Sequence, residues 1–366
     1  MNFDFSDDQK LLRTTARDFL TAHAPLRLCR AVLESDASYS DTLWKSVAEM
    51  GWLGTAIPEE YGGAGFGRLE LAVMAEELGR TLAPIPFSSS IYLAAEAILL
   101  AGSTAQKQQY LPKLAAGELI GTFASAEKPG DAGREAIATT FANAKLSGVK
   151  VPVPDGDVAH CAVVTARQGK DVVLALVDLS AHGVTRQAVR SIDPSRSLAS
   201  IRFDATPAQL LGDAATGSAA LQKLLDRAAV LVAFEQIGGA TRAFEMTREY
   251  CLSRYAFGRP IASFQAIKHR LADLYVEIEL ARSNAYYGAW ALGTDSPELA
   301  VAACGARASA TDAFVLASEE MIQLHGGVGY TWEFDCHLFY LRAKYLGALL
   351  GSAQQWREQL IQRLDA

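Results

Sequence analysis

The stretch SRYAFGRPIASFQAIKHRLAD, residues 253–273, carries side chains that could bind a phosphorylated ligand. Arg254 is a planar guanidinium that can bind two phosphate oxygens at once. Phe257 stands beside a glycine, which suits an aromatic wall that a ligand can approach closely. Gln265 could add a hydrogen bond to a polar ligand. Taken alone, Arg254 is equally consistent with a surface ion pair.

The stretch QLHGGVGYTWEFDCHLFYLRAK, residues 323–344, offers a different kind of contact. Gln323 precedes the pair Gly326 and Gly327, and glycines lack the Cβ that would keep a ligand away from the backbone amides. The same pair could instead end a helix. His325 lies inside this motif, where a packed or capping histidine is favoured over a catalytic one. Together, the two stretches favour a site for a phosphorylated cofactor.

With a third stretch, AIPEEYGGAGFGRLELAVMAEELGR at residues 56–80, these motifs resemble the acyl-CoA dehydrogenase family over essentially the whole chain. The resemblance implies an acyl-CoA substrate, an FAD cofactor and electron transfer to an electron-transfer flavoprotein. In the family these residues reach the FAD of the neighbouring subunit, so at least a dimer and usually a homo- or hetero-tetramer is implied. The implied FAD-binding residues in these motifs are Arg254, Phe257, Gln265, Gln323, Gly326 and Gly327.

The stretch RAKYLGALLGSAQQWR, residues 342–357, departs from the family pattern. The family places its catalytic glutamate here, followed by residues that contact the cofactor. Ser352 and Gln354 keep the cofactor-contacting types, but Leu350 stands where the glutamate is expected. An alignment shifted by one residue puts another leucine there. The segment between Asp335 and Glu358 contains no acidic residue, so it cannot supply the base that removes the substrate's α-proton.

A carboxylate on an earlier helix is the candidate base. Some family members place it on the first helix of the C-terminal domain, directly before an arginine that matches Arg227 here. The preceding residue is Asp226, and the resemblance therefore makes Asp226 the expected catalytic residue. The alternative is an ordinary helical acid paired with Lys223, three residues earlier.

Two further departures weaken the expected flavin contacts of the middle domain. Ala126 stands where the family has a threonine, and the loop that follows it is shortened. Pro152 replaces a tryptophan that usually covers the flavin. These changes leave open a second hypothesis, a non-catalytic or FAD-sharing partner subunit of a heteromeric acyl-CoA dehydrogenase, such as those acting on fatty acid or steroid side chains. Other flavin chemistry is a third possibility.

Composition excludes several other classes. The net charge is −7, which argues against nucleic acid as a partner. Five scattered cysteines without a CxxC pair predict neither a disulfide framework nor a metal site, and they favour a reducing compartment. The acidic N-terminal stretch does not resemble a signal peptide. The apolar stretches are expected to fall short of a membrane span, so we expect a cytoplasmic protein with no membrane association.

The elements that must position these residues follow from hydrophobic periodicity. Residues 1–118 predict helices, starting with a cap at Ser6. Residues 119–212 consist of short segments rich in valine, threonine and alanine, which predict an antiparallel β-domain of barrel or sandwich type. Residues 213–366 predict a four-helix bundle, whose first helix is expected to run from 218 to 258. The predicted fold class is therefore α+β, with an all-α domain, a β-domain and a helical bundle in that order.

Overall fold

The computed structural model describes residues 6–130 and 137–365. It contains two compact units. The helical unit consists of the chain up to Arg30, Ala72–Ala83 and the chain from Ala229 onwards. The sheet unit consists of Ala31–Leu71 and Pro84–Ala228. Helices, then strands, then helices follow one another along the chain, which confirms the predicted fold class.

The N-terminal third of the chain is helical. Ser6 begins the first helix as predicted, because its side chain accepts a hydrogen bond from the Gln9 N–H and its own N–H donates one to the Gln9 side-chain oxygen. A π-helical segment, Ser88–Ala95, leads directly into the fifth helix. The helices are α1 Asp7–His23, α2 Leu26–Leu33, α3 Asp41–Glu49, α4 Arg68–Arg80, α5 Glu96–Ala101 and α6 Thr104–Ala115.

One hydrogen-bonded network of eight strands forms the middle of the chain. The strand order is β6-β7-β3-β2-β4-β5-β8, and β1 pairs with β4. The strands are β1 Gly121–Ala124, β2 Thr140–Ala142, β3 Lys145–Pro154, β4 Cys161–Gln168, β5 Asp171–Asp178, β6 Val184–Val189, β7 Leu198–Pro207 and β8 Gln209–Leu211.

The expectation of a purely antiparallel domain is wrong for two pairings. Strand β1 runs parallel to β4, with Gly121 opposite Cys161, and β2 is parallel to β4 at Thr140. All four residues of β1 are buried, as is common for a parallel strand that is covered on both faces. The shortened loop expected after Ala126 includes residues 131–136, which lie outside the described residues.

Five α-helices follow the sheet, and three of them have 27 residues or more. The prediction for the first of these was wrong at its end, because α7 stops at Ser253 and the chain turns back in a short hairpin. The elements are α7 Gly217–Ser253, the hairpin strands β9 Tyr255–Ala256 and β10 Arg259–Pro260, α8 Gln265–Gly293, α9 Leu299–His325, α10 Cys336–Ala348 and α11 Ala353–Leu364.

Two glycines allow α4 and α7 to approach closely inside the helical unit. A Cβ on Gly79 would lie 1.9 Å from the carbonyl oxygen of Glu235. A Cβ on Gly238 would lie 1.9 Å from the carbonyl oxygen of Glu76. Both contacts are to backbone, so a side-chain rotation cannot relieve them. The crossing therefore depends on glycine at both positions.

Helix α9 lies at the centre of the helical unit and packs against α8, α10 and α11. Among the described residues, one segment, Leu299–Tyr330, is long and apolar enough for a membrane span by length and composition alone. The expectation that every apolar stretch falls short of that length is wrong for this segment. Core helices of water-soluble proteins pass the same test, and 61% of the most apolar window is buried inside the structure.

Candidate functional site

The helical unit contains a cleft of about 490 Å³ where the last turn of α7 meets the end of α9. Four of the predicted cofactor-binding residues line this cleft: Arg254, Gln323, Gly326 and Gly327. We call it the arginine–glycine cleft. The structure thus brings the first two predicted motifs together at one place.

Arg254 contributes an available cation to the arginine–glycine cleft. Its backbone is fixed, because its N–H donates to the Tyr250 carbonyl at 2.8 Å and its own carbonyl accepts from the Ile261 N–H at 2.8 Å. Its side chain is exposed, and the guanidinium makes no hydrogen bond or ion pair with any residue of 6–130 or 137–365. The alternative of a surface ion pair is therefore not observed within these ranges, and five N–H donors remain available.

Gly326 and Gly327 give the cleft an open backbone. Gly326 has φ +64° and ψ −139°, a conformation that only glycine adopts readily. A Cβ built on either glycine would meet no atom within 4 Å. The Gly326 N–H donates to the Gln323 carbonyl and ends α9, so the helix-end interpretation is also observed. The side of each glycine where a Cβ would project is open, so a ligand can approach the backbone there.

Phe257 occupies an unusual position beside the cleft. It forms the β9–β10 turn with Gly258, and both residues have positive φ, at +52° and +79°. Two positive φ values define the type I′ turn that suits a two-residue hairpin, but a bulky residue in this region is strained. Phe257 is 95% exposed, and its ring lies edge-on to that of Phe264 with the centroids 6.2 Å apart. Gln265 follows as the exposed first residue of α8.

His325 is a packing residue at the base of the cleft. Its ring stacks on Tyr250 with centroids 4.2 Å apart. Its Nδ1 lies 2.7 Å from the Met321 carbonyl, which can only accept, so Nδ1 carries the proton. Burial lowers the pKa of His325 despite this hydrogen bond, so the ring is neutral near pH 7. These contacts support the packing interpretation over a catalytic one.

The turn after α10 is closed by contacts within the chain. Leu350 is buried with φ +62°, and its carbonyl accepts a hydrogen bond of 3.1 Å from the buried Trp356 indole. Ser352 caps α11, because its hydroxyl accepts from the Gln355 N–H at 3.3 Å. Gln354 is exposed in the first turn of α11. The cofactor contacts expected for Ser352 and Gln354 therefore stay predictions.

Arg307, which sequence reasoning missed, anchors this turn from α9. Its guanidinium is fully buried and donates to the carbonyls of Leu346 and Leu349, the latter at 2.6 Å. It also donates to the Gln236 side chain at 2.5 Å. Burial lowers the pKa of Arg307 to about 9, so it remains a cation at neutral pH. The role of Arg307 depends on carbonyl groups that lie about 40 residues further along the chain. The sequence around Arg307 therefore did not indicate it.

Asp226 lies in the sheet unit, on the first turns of α7. Its side chain is almost fully buried, and its Oδ1 accepts a hydrogen bond of 3.0 Å from Gln222, one turn earlier. The next residue, Arg227, donates to Glu96 at 2.5 Å, and Glu96 also accepts from Arg68 at 2.7 Å. Asp226 is thus a buried carboxylate beside an ordered network of two guanidiniums and one carboxylate.

Two other cleft residues were missed. Tyr250 stacks on His325, and it lies one helical turn before Arg254 on the same face of α7. Arg270 lines the cleft from α8 and donates to Glu320 at 2.9 Å. Spacing from Arg254 could have indicated Tyr250, whereas Arg270 depends on how two helices pack. No group of three or more histidine, cysteine, aspartate or glutamate residues suited to a metal occurs in the described part of the chain.

The chain belongs to the acyl-CoA dehydrogenase family, a family of flavoproteins. The family model of the N-terminal domain matches residues 6–118, and that of the C-terminal domain matches residues 215–364. Acyl-CoA dehydrogenase IpdE2 of Mycobacterium tuberculosis is 35% identical over 366 residues, which cover 98% of this chain and 97% of that protein.

Solved structures are similar over the same length. A variant of the Tcur3481–Tcur3483 steroid ACAD is 31% identical, with a TM-score of 0.91 and 98% of both chains covered. The ChsE4–ChsE5 complex of Mycobacterium tuberculosis is 25% identical, with a TM-score of 0.91, 100% of this chain and 99% of that chain covered. The family that the three sequence motifs resemble is thereby confirmed.

Proposed function

We propose that the protein is a subunit of an FAD-dependent acyl-CoA dehydrogenase that oxidises an acyl-CoA thioester to the trans-2-enoyl-CoA. One observation carries the proposal: on a chain of this family, the available Arg254 guanidinium lies beside the open backbone of Gly326 and Gly327. A pyrophosphate needs this combination of a forked cation and backbone amides.

The donor set fits FAD. Arg254 would hold pyrophosphate oxygens, and the missing Cβ at Gly326 and Gly327 would let the cofactor approach the backbone there. Gln323 and Gln265 hydrogen-bond the polar groups of the cofactor, and Phe257 provides an aromatic wall. Ser352 and Gln354 offer contacts at the start of α11. When bound, FAD supplies the acceptor for the hydride that leaves the β-carbon of the substrate.

The same residues support binding at a subunit interface. Phe257 is held in a strained turn and its ring is almost fully exposed in the single chain. Strain at an exposed aromatic residue is typical of a functional contact with something outside the chain. We propose that this surface covers FAD shared with a second subunit, in a homo- or hetero-oligomer.

Asp226 is the proposed catalytic base. As a carboxylate it removes the α-proton of the thioester, which requires contact within about 3 Å or one bridging water. Gln222 donates to Oδ1 of this carboxylate at 3.0 Å. The side chain is one methylene shorter than a glutamate, so the helix backbone must lie correspondingly closer to the substrate.

We propose a bulky acyl-CoA, branched or derived from a steroid, as the substrate class. Two features support this: the proposed base on the first helix of the C-terminal domain, and similarity to the Tcur3481–Tcur3483 steroid ACAD. An electron-transfer flavoprotein is the proposed electron acceptor.

A second candidate is a partner subunit that shares FAD with a catalytic chain but lacks chemistry of its own. The closed turn at Leu350 favours it, because a leucine stands where the family has its glutamate and the turn is held by Trp356 and Arg307. Similarity to the Tcur3481–Tcur3483 and ChsE4–ChsE5 structures, each named for two proteins, also supports it.

Flavin content tests the cofactor proposal. We expect Arg254→Gln to weaken FAD binding roughly 10- to 150-fold, because one charge-assisted contact to phosphate contributes roughly 1.5–3 kcal/mol. The ratio of flavin to protein absorbance after purification measures occupancy. Arg248→Gln is the matched control, since Arg248 is an exposed arginine on the same helix outside the cleft. Full occupancy in Arg254→Gln, or a flavin-loaded monomer, would contradict the proposal.

A further inference from the structure

A second cleft lies in the helical unit, where the end of α1 faces the end of α4 and the middle of α7. Its volume is about 380 Å³, within the range of small-molecule sites. Three arginines line it: Arg17, Arg80 and Arg242. None of these belongs to the arginine–glycine cleft. We call this second site the triple-arginine cleft.

Two carboxylates partly neutralise the three guanidiniums. Arg17 binds Glu77 at 3.0 and 2.7 Å, and Arg80 lies 3.6 Å from the same carboxylate. Arg80 also binds Glu245 at 2.6 Å, and Arg242 approaches Glu245 at 3.5 Å. Three cations and two anions leave a net charge of +1 at the cleft.

The pKa values of Arg17 and Glu245 are shifted in the directions that keep both side chains charged. The hydrogen bond to Glu77 raises the pKa of Arg17 further above its ordinary value. Burial tends to raise the pKa of Glu245, but the hydrogen bond from Arg80 outweighs it and the pKa is lowered. Arg17 is therefore a cation and Glu245 an anion at neutral pH.

Arg242 is the cation with the most unused binding capacity. Its contact with Glu245 at 3.5 Å is its one ion pair in the described parts of the chain, and it makes no hydrogen bond there. A guanidinium has five N–H donors in a fixed fork. Ala24, Pro25 and Leu26 form an apolar wall of the same cleft. The cleft thus combines an excess positive charge with an apolar surface.

We propose that the triple-arginine cleft binds a small organic anion. A phosphate or carboxylate group of the ligand lies against Arg242, and an apolar part lies on the wall formed by Ala24, Pro25 and Leu26. The dehydrogenation reaction does not require this ligand, so the proposal goes beyond the proposed function. It is also independent of it, because no residue is shared between the two clefts.

Isothermal titration with inorganic phosphate and with succinate, at constant ionic strength set by chloride, tests the proposal. We expect saturable binding of at least one anion, and the stronger of the two identifies the preferred group. Arg242→Gln should weaken it about 10-fold or more, because a charged donor is lost. This variant is expected to fold, since Glu245 keeps Arg80 as its partner.

Two further variants separate this site from the arginine–glycine cleft and from general charge effects. Arg248→Gln should bind the anion with the affinity of the unmodified protein, and Arg254→Gln should keep the binding event that Arg242→Gln weakens. Binding that is lost in Arg254→Gln but kept in Arg242→Gln would overturn the proposal, because the anion would then occupy the other cleft. The proposal also fails if neither anion binds more tightly than about 1 mM, or if Arg248→Gln weakens binding as much as Arg242→Gln.

Discussion

Lys150 is fully buried in the sheet unit, where its ammonium group forms an ion pair and hydrogen bonds. Its Nζ donates to Glu127 at 2.8 Å, to the Ser125 carbonyl at 3.0 Å and to the Thr165 hydroxyl at 3.0 Å. Glu127 also accepts the backbone N–H groups of Ala138 and Thr139, at 2.8 and 2.9 Å. Burial tends to raise the pKa of Glu127, but these donors, led by Lys150, lower it to about 2.

This pair predicts a specific loss of stability in acid. The ordinary pKa of the carboxyl is 4.5, so the unfolded chain takes up a proton before the folded chain does. The stabilisation is therefore complete above pH 4.5 and is lost as the pH falls from 4.5 to about 2. Glu127→Gln should cost about 3 kcal/mol at pH 7, because it removes the carboxylate that pairs with the buried Lys150 at 2.8 Å.

Urea unfolding at pH 7 and pH 3 measures this effect. The difference in unfolding free energy between the unmodified protein and Glu127→Gln should be much smaller at pH 3. Glu60→Gln, which changes an exposed glutamate, should give no such change. If Glu127→Gln lowers the unfolding free energy equally at both pH values, the charge of the Glu127 carboxylate is not the source of the stabilisation.

The sequence indicated which residue types line the arginine–glycine cleft, but it did not indicate their backbone conformations. Arg254, Gln323, Gly326 and Gly327 could be chosen from sequence, because the motifs that contain them resemble those of one family, and the structure places all four at one cleft. The positive φ of Phe257 could not be predicted from sequence, since it is imposed by the hairpin that follows α7. Arg307 was missed for a similar reason, because its carbonyl partners lie 39 and 42 residues away.

At the scale of elements, the crossing of α4 and α7 is the most constrained contact in the helical unit. We expect Gly238→Ala to lower the unfolding free energy by at least about 1–3 kcal/mol, because the added methyl group must displace a backbone carbonyl. Urea unfolding at pH 7 measures the change.

Gly305→Ala is the matched control for this substitution. Gly305 lies inside α9, and a Cβ there would meet no atom within 4 Å. Alanine should therefore stabilise the helix by about 0.5–1 kcal/mol through backbone entropy. If Gly238→Ala is as well tolerated as Gly305→Ala, the two helices do not cross as closely as described.

Helix and strand periodicity predicted most elements but not their partners. Hydrophobic spacing located the long helices and five of the strands, because burial of one face repeats at 3.6 or 2 residues. It missed the β9–β10 hairpin, where two-residue strands are too short to show a period. It also missed the parallel pairing of β1 with β4, since pairing joins segments 40 residues apart and leaves no local pattern.

At the scale of the whole molecule, the proposed enzyme needs both a cofactor cleft and a buried base. The arginine–glycine cleft faces outwards from the helical unit, which suits FAD shared with a second chain. Asp226 stands in the sheet unit as the proposed replacement for the family's missing glutamate. A non-catalytic partner subunit would also have the arginine–glycine cleft, but it would not use Asp226 as a base. A test of proton removal by Asp226 therefore distinguishes a catalytic subunit from a partner subunit.

Rapid-mixing measurement of flavin bleaching by acyl-CoA is the most direct test. It should use linear, branched and steroid-derived thioesters, with the protein prepared alone and co-expressed with a second dehydrogenase chain. Asp226→Asn keeps the shape of the side chain but cannot take a proton, so we expect bleaching to slow roughly 10²- to 10⁴-fold while flavin content is unchanged. Unchanged bleaching in Asp226→Asn would contradict the account, and bleaching that requires the second chain but not Asp226 would assign the chemistry to that chain.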